Sequence, residues 1–186
     1  MKKWTDSLWI YTPLYLILGL FNILFAWLGV IEFLIPFISA FTPANKKFCN
    51  LYCPRSRFFE ILGNKFHLSR HKAPPAFLSA PWFRYGFLAF FMTMFGLMIF
   101  NTYQVFAGTR SLNEVITILW TFKFGWFAQS FGPDWVVQFG YGMYSMMLTS
   151  SILGILMMIL YRPRSWCAYC PMGTMTQSIC KLKARN

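Results

Sequence analysis

The stretch VVQFGYGMYSMMLTSSILGILMMILY, Val136 to Tyr161, contains no Lys, Arg, Asp or Glu. Its companion WFRYGFLAFFMTMFGLMIFNTYQVF, Trp82 to Phe106, is broken only by Arg84 near its start and Asn101 near its end. Each exceeds the roughly 20 residues that a helix needs to cross a bilayer. The whole chain agrees with these two stretches: 57% of its 186 residues are hydrophobic and only 12% are charged, too few to clothe a water-soluble domain of this size. The expected fold class is an all-α integral membrane protein.

The charges refine that expectation. A net charge of +12 would ordinarily raise nucleic acid as a partner, but the basic residues crowd beside the apolar stretches and do not form a separate patch. Lys46, Lys47, Arg55, Arg57, Lys65, Arg70 and Lys72 lie between the first apolar region and the second, Arg84 stands at the start of the second, and Arg162, Arg164, Lys181, Lys183 and Arg185 follow the last. The positive-inside rule puts both segments in the cytoplasm of a bacterial-type, multi-pass cytoplasmic membrane protein. Residues 107–135, which carry only Arg110, Glu114, Lys123 and Asp134, suit an external loop. Within it Val115 to Phe127 is too short to span and reads as an interfacial helix, with Trp120 and Trp126 at headgroup level.

The amino-terminal region, Leu8 to Phe41, is longer than one ordinary span and shorter than two, and Pro13, Gly29, Glu32 and Pro36 punctuate it. It is either one kinked helix or a tight hairpin, and the hairpin keeps Lys2 and Lys3 inside as charge bias prefers. The apolar region is too long for a cleavable signal peptide, and no small-residue cleavage site follows it. The chain thus divides into a first apolar region (8–41), a cytoplasmic loop (43–81), a span (82–106), an external loop (107–135), a span (136–161) and a cytoplasmic tail (162–186). Three to four transmembrane helices plus interfacial helices are expected, as a single membrane domain.

Two cysteine pairs fall in the basic segments: Cys49-Asn50-Leu51-Tyr52-Cys53-Pro54 and Cys167-Ala168-Tyr169-Cys170-Pro171. Cysteines three or four positions apart in a turn can aim both sulfurs at one metal site, and two such turns supply four thiolates. Proline suits the first position of a helix, where its missing N–H is no loss and its fixed φ fits. Helices are therefore expected over Arg55 to Leu62 and Met172 to Leu182. A helix that starts directly after a cysteine points its free N–H groups and positive dipole end at the sulfur, which favours thiolates and anionic clusters. Arg55, Arg57, Arg162 and Arg164 either add to that field or simply anchor the helices at lipid headgroups. The fifth cysteine, Cys180, lies ten residues past Cys170, about 15 Å along a helix, and is set apart from the four.

Four paired cysteines also suit structural zinc, in which case they staple two helix ends and carry no redox chemistry. Zinc ribbons are usually small soluble knuckles, however, whereas these pairs sit at membrane-helix ends in a Cys-Pro context like that of ferredoxins. A third reading is a thiol–disulfide carrier, against which stands the placement of both pairs on one face, with none outside to receive electrons.

On Lys47-Phe48-Cys49, Cys53-Pro54-Arg55-Ser56, Arg162-Pro163-Arg164-Ser165-Trp166-Cys167 and Cys170-Pro171-Met172-Gly173-Thr174, the sequence resembles polytopic membrane proteins with a 4Fe-4S binding domain, related to NapH- and NosR-type electron-transfer subunits. The resemblance runs from about the first apolar region to Cys170. It implies one iron–sulfur cluster, of [4Fe-4S] type, with Cys49, Cys53, Cys167 and Cys170 as ligands. It also implies electron transfer between a quinol pool or membrane partner and a redox protein bearing flavin or haem. The chain departs from NapH-like proteins in two ways: its second motif is one residue shorter, and it lacks the additional eight-cysteine ferredoxin domain they commonly carry.

His67 and His71, four apart, would share a face of a helix and suit a metal or a quinone, but the basic run Phe66 to Lys72 ahead of Pro74-Pro75 reads better as an exposed interfacial segment. Glu32 is an acid inside or beside the membrane and invites a proton or quinone role. Met92, Met94, Met98, Met146, Met147, Met157 and Met158 read as flexible packing groups and not copper ligands. Gly140, Gly142 and Gly154 read as points of close helix approach. Tyr52, Trp166 and Tyr169 are expected to screen the cysteines from water or to mark the interface. No nucleophile–base pair, phosphate loop or paired carboxylate is evident, so a non-catalytic electron-transfer subunit is expected.

Overall fold

The computed structural model describes residues 4–41, 52–111 and 132–185. Among these are seven α-helices and no strands. In chain order the α-helices are α1 (Tyr11–Phe21), α2 (Leu28–Phe41), α3 (Pro54–Asn64), α4 (Ala76–Ser79), α5 (Pro81–Phe106), α6 (Asp134–Leu160) and α7 (Pro171–Arg185). Short 3-10 helices occupy Trp4–Ile10, Ile23–Trp27 and Ser165–Ala168. Contacts divide the chain into two compact units, one of Met1–Thr12, Glu32–Phe91 and Ser151–Asn186, the other of Pro13–Ile31 and Met92–Ser150. The expected interfacial helix over 115–127 falls outside the described residues.

Both decisive apolar stretches are helices long and apolar enough to cross a membrane. On α5 the buried residues are Met98 and Val105, while Trp82 (70% exposed), Leu97 (50%), Phe100 (55%) and Phe106 (68%) look outward. Water would penalise so long an apolar column, and a lipid environment removes the penalty. Its end is sharply made: Gly108 takes φ +71, and the N–H groups of Gly108 and Thr109 return to Val105 O and Gln104 O at 3.1 and 3.0 Å. That paired closure needs a left-handed residue, which glycine supplies without a Cβ penalty. α6 differs, since Val137, Tyr141, Tyr144, Ser151 and Met158 are buried along it at near-helical spacing.

The amino-terminal apolar region folds back on itself. Asn22 interrupts it, its side chain accepting from Leu24 N–H at 3.0 Å. In the second unit the Tyr15 hydroxyl donates to Ala26 O at 3.2 Å, and a Cβ on Gly29 would lie 2.7 Å from the same hydroxyl. In the first unit Tyr11 lies within electrostatic reach of Glu32. Within the second unit, the pairing of 15 with 26 and 29 is what two arms folded back at Asn22 make. Small residues allow the same closeness elsewhere in the second unit: a Cβ on Gly19 would strike the Tyr144 ring, and the Tyr144 hydroxyl donates to Leu16 O at 3.0 Å.

In the first unit α3 lies on the carboxyl-terminal part of α6. Phe59, wholly buried, fills the space opposite Gly154, where a Cβ would collide with its ring, and a Cβ on Gly63 would come within 2.7 Å of Pro163 Cγ. Leu78, Met158, Trp166 and Tyr169 complete this core, with Phe83 and Phe87 packed against it. The basic run after α3 is held to the same end of α6. Arg70 N–H donates to Ile159 O at 3.2 Å, and the buried Ser69 hydroxyl donates to Tyr161 O. These bonds satisfy carbonyls that the end of a helix leaves without partners. His67 and His71 are exposed and off any helix, as the preferred reading of this basic run has it, and share a left-handed backbone at φ 53 in place of a helix face.

Gly142 and Gly154 of α6 are not equivalent. Gly154→Ala forces a buried aromatic ring to move and should cost about 1–3 kcal/mol, the usual range for overpacking. Gly142→Ala meets only the flexible side chain of Met98 and should cost less. Thermal unfolding of the purified chain in detergent is expected to show a clearly lower midpoint for Gly154→Ala than for Gly142→Ala.

Candidate metal centre

The two Cys-Pro sequences build the same local structure in the first unit. Cys53 stands in extended conformation, φ −68 and ψ 112, immediately before α3, with Pro54 at the first helical position. Cys170 immediately precedes Pro171, the first residue of α7. In each case the cysteine carbonyl accepts the first helical hydrogen bond: Arg57 N–H to Cys53 O at 3.2 Å, and Thr174 N–H to Cys170 O at 2.9 Å. The sulfur receives the N–H three residues on, from Ser56 for Cys53 and from Gly173 for Cys170, with Met172 N–H adding a second bond at Cys170. These donors are among the first N–H groups of a helix, which have no partner within it. Proline at the first position removes one orphan and fixes the backbone that aims the others.

Cys167 lies in the 3-10 turn Ser165–Ala168, which is closed by Cys170 N–H donating to Trp166 O at 3.0 Å. Its thiol is exposed and donates to Ser56 Oγ at 3.6 Å, tying the second motif to α3 of the first. Cys53 is within electrostatic reach of both Cys170 and Cys167. Three of the four expected sulfurs thus share one neighbourhood, while Cys49 lies outside the described residues. Among the described residues no three cysteine, histidine or carboxylate side chains close on a single ion. A cluster spreads its ligands over several metals, so thiols that share a neighbourhood without meeting at one point are compatible with it. Cys180 is on α7, nine residues beyond its first, about 14 Å along the axis.

Metal-free, Cys53 and Cys170 are held as thiols. Burial pushes Cys53 up to about 12, with Cys170 and Cys167 adding to the rise and the Ser56 N–H and Arg55 opposing it. Burial pushes Cys170 up to about 11, again with Cys167 adding, and the Gly173 and Met172 N–H groups and Arg55 opposing. Tyr169 is raised by burial and by Cys170, so it stays a neutral phenol. The donor set fits an anionic thiolate-held group: helix N–H groups and the Arg55 charge favour the ionised sulfurs, and their mutual repulsion is what a multivalent metal relieves. Ser165 Oγ and Trp166 Nε1, beside Cys167, are buried without hydrogen-bond partners, as donors facing such a group would be.

Of the four arginines in the motifs, Arg55 is the one whose charge acts on both Cys53 and Cys170. It is steadied by Glu32 of α2 at 3.9 Å, so this acid serves the cysteine site through an ion pair. Arg57 pairs with Glu60 at 3.2 Å, and Arg162 and Arg164 are exposed. Trp166 and Tyr169 are buried, with ring centroids 4.9 Å apart, and Phe87 stands edge-on to both at 5.9 and 5.4 Å. Tyr52 is 51% exposed. Sequence reasoning missed Ser56 and the Glu32–Arg55 pair. Ser56 was legible as the third residue after a Cys-Pro helix start, whereas the Glu32 pairing depends on a hairpin that local pattern left open.

Residues 25–73 and 144–185 match the model of a family described as a 4Fe-4S binding domain. The first matched segment contains the first cysteine pair and α3; the second contains the second pair and α7. No curated protein and no solved structure matches the chain. Two separated segments of the chain thus resemble a 4Fe-4S binding domain, and their described parts meet around Cys53, Cys167 and Cys170.

Proposed function

We propose that this chain is a membrane-bound iron–sulfur electron-transfer protein. Cys49, Cys53, Cys167 and Cys170 would hold a single [4Fe-4S] cluster, and electrons pass between a quinol pool or membrane partner and a redox protein bearing flavin or haem. The observation that carries this reading is the convergence of two alike Cys-Pro helix starts within segments that match a 4Fe-4S binding domain. A bound cluster supplies reversible one-electron chemistry. The chain's own part is to aim helix N–H groups and Arg55 at the sulfurs and to exclude water on one side with Trp166, Tyr169 and Phe87. The basic residues around both motifs favour a cytoplasmic face, with α5 and α6 crossing the membrane and the α1–α2 hairpin inserted beside them. A hydrocarbon core about 30 Å thick separates that face from the other, so transfer across it requires a second carrier.

Anaerobic purification in detergent, with iron and sulfide analysis and absorption spectra before and after dithionite, tests the reading. Near four irons and about four sulfides per chain are expected, with a broad visible band that bleaches on reduction and persists in Cys180→Ser. Zinc without sulfide or colour would contradict it.

The sign of the thiol shifts gives a second expectation. Both folded values lie above the ordinary thiol value of 9.0, so the metal-free fold loses stability as pH rises from 9.0 to about 11 to 12. In the same window the thiolates form. Iodoacetamide labelling of metal-free protein, mapped by mass spectrometry, should be slow at Cys53 and Cys170 near neutral pH and climb steadily with pH, and loading with iron and sulfide should abolish it.

Ser56 gives a third. The Cys167–Ser56 hydrogen bond must reverse once Cys167 is ionised, the hydroxyl then donating to sulfur. Donors to a cluster's sulfurs favour the more negative, reduced state. Ser56→Ala should lower the midpoint potential by on the order of 40 mV, corresponding to about 1 kcal/mol for one electron, with iron content unchanged in a potentiometric titration.

A further inference from the structure

Arg84 lies in the first turn of α5, flanked on the outside by the exposed Trp82 and Tyr85. A cleft opens there between α5 and α7, lined by Pro81, Arg84, Tyr85, Thr174, Gln177 and Lys181. Arg84 Nη2 donates to Gln177 Oε1 at 2.6 Å, which occupies the amide oxygen and leaves the amide N–H groups of Gln177 to donate elsewhere. Arg84 Nε is buried without a hydrogen-bond partner. The Thr174 hydroxyl is committed to Cys170 O at 3.1 Å. No carboxylate lines the cleft. What remains is a set of donors, two of them on cations, at the start of a helix long and apolar enough to span a membrane.

We propose that this cleft binds the phosphate of an anionic lipid headgroup. The depth selects the ligand: a cationic residue one turn into such a helix, beside outward-facing Trp and Tyr, sits at headgroup level. Arg84 presents a planar fork suited to phosphate oxygens, and Lys181 supplies a second charge from the other helix. Because α7 begins directly after Cys170, a headgroup held between Arg84 and Lys181 ties the second cysteine motif to the span. The proposal rests on the membrane placement of α5 given above, and is independent of what the cysteines hold.

The test is native mass spectrometry of the full chain in detergent, titrated with phosphatidylglycerol or phosphatidylcholine, with iron and sulfide measured on the same samples. Wild type should prefer the anionic lipid roughly tenfold or more. Arg84→Gln and, separately, the exposed Lys181→Gln should each remove most of that preference while iron and sulfide stay at the wild-type level. Equal binding of both lipids by wild type, or a preference that both variants retain, overturns the proposal. So does displacement of phosphatidylglycerol by inorganic phosphate at equal concentration, which would make the cleft a site for free anions. An anionic-lipid preference in protein without iron would leave this site standing and defeat only the cluster reading.

Discussion

Gathering thiolates in a place partly shut off from water is electrostatically uphill, and the surroundings of Cys53 and Cys170 are organised to offset that cost. Burial and neighbouring sulfurs push both groups toward the neutral thiol. Against this the chain sets the N–H groups of two helix starts and the charge of Arg55. Proline fixes the first turn of each helix start, and Arg55 pairs with Glu32 of α2 at 3.9 Å. The packing of α3 against α6 through Phe59 and Gly154, and the aromatic group of Trp166, Tyr169 and Phe87, hold these parts in register.

Much of this was legible in the sequence because the signals are local. An uncharged run of more than twenty residues can scarcely be anything but a long apolar helix, and Cys-Pro ahead of a helical pattern states where that helix starts. Helices expected over Arg55 to Leu62 and Met172 to Leu182 are found over Pro54–Asn64 and Pro171–Arg185. The glycine readings also rest on size alone, and Gly142 and Gly154 do sit where a methyl group would collide with Met98 and Phe59.

Other features depend on pairings distant in sequence. Whether Leu8 to Phe41 bends once or folds into a hairpin depends on Tyr15 finding Ala26 and Gly29, and composition carries no such information. The role of Glu32 followed from that fold. His67 and His71 have helical spacing, but the segment is instead drawn out to satisfy carbonyls at the end of α6, a tertiary demand that overrides spacing. Arg162 and Arg164 resemble Arg55 in the sequence, yet Arg55 faces the sulfurs and the other two face outward.

The central claim is that the two cysteine motifs close one redox site, not two independent ones. Electron paramagnetic resonance of the dithionite-reduced chain, with iron quantified in parallel, compared among wild type, Cys53→Ser and Cys170→Ser, tests it most directly. A shared site predicts one signal in wild type and the same loss or alteration of that signal, with its whole iron complement affected, from either substitution. Variants that each remove a different part of the spectrum and only part of the iron would contradict it.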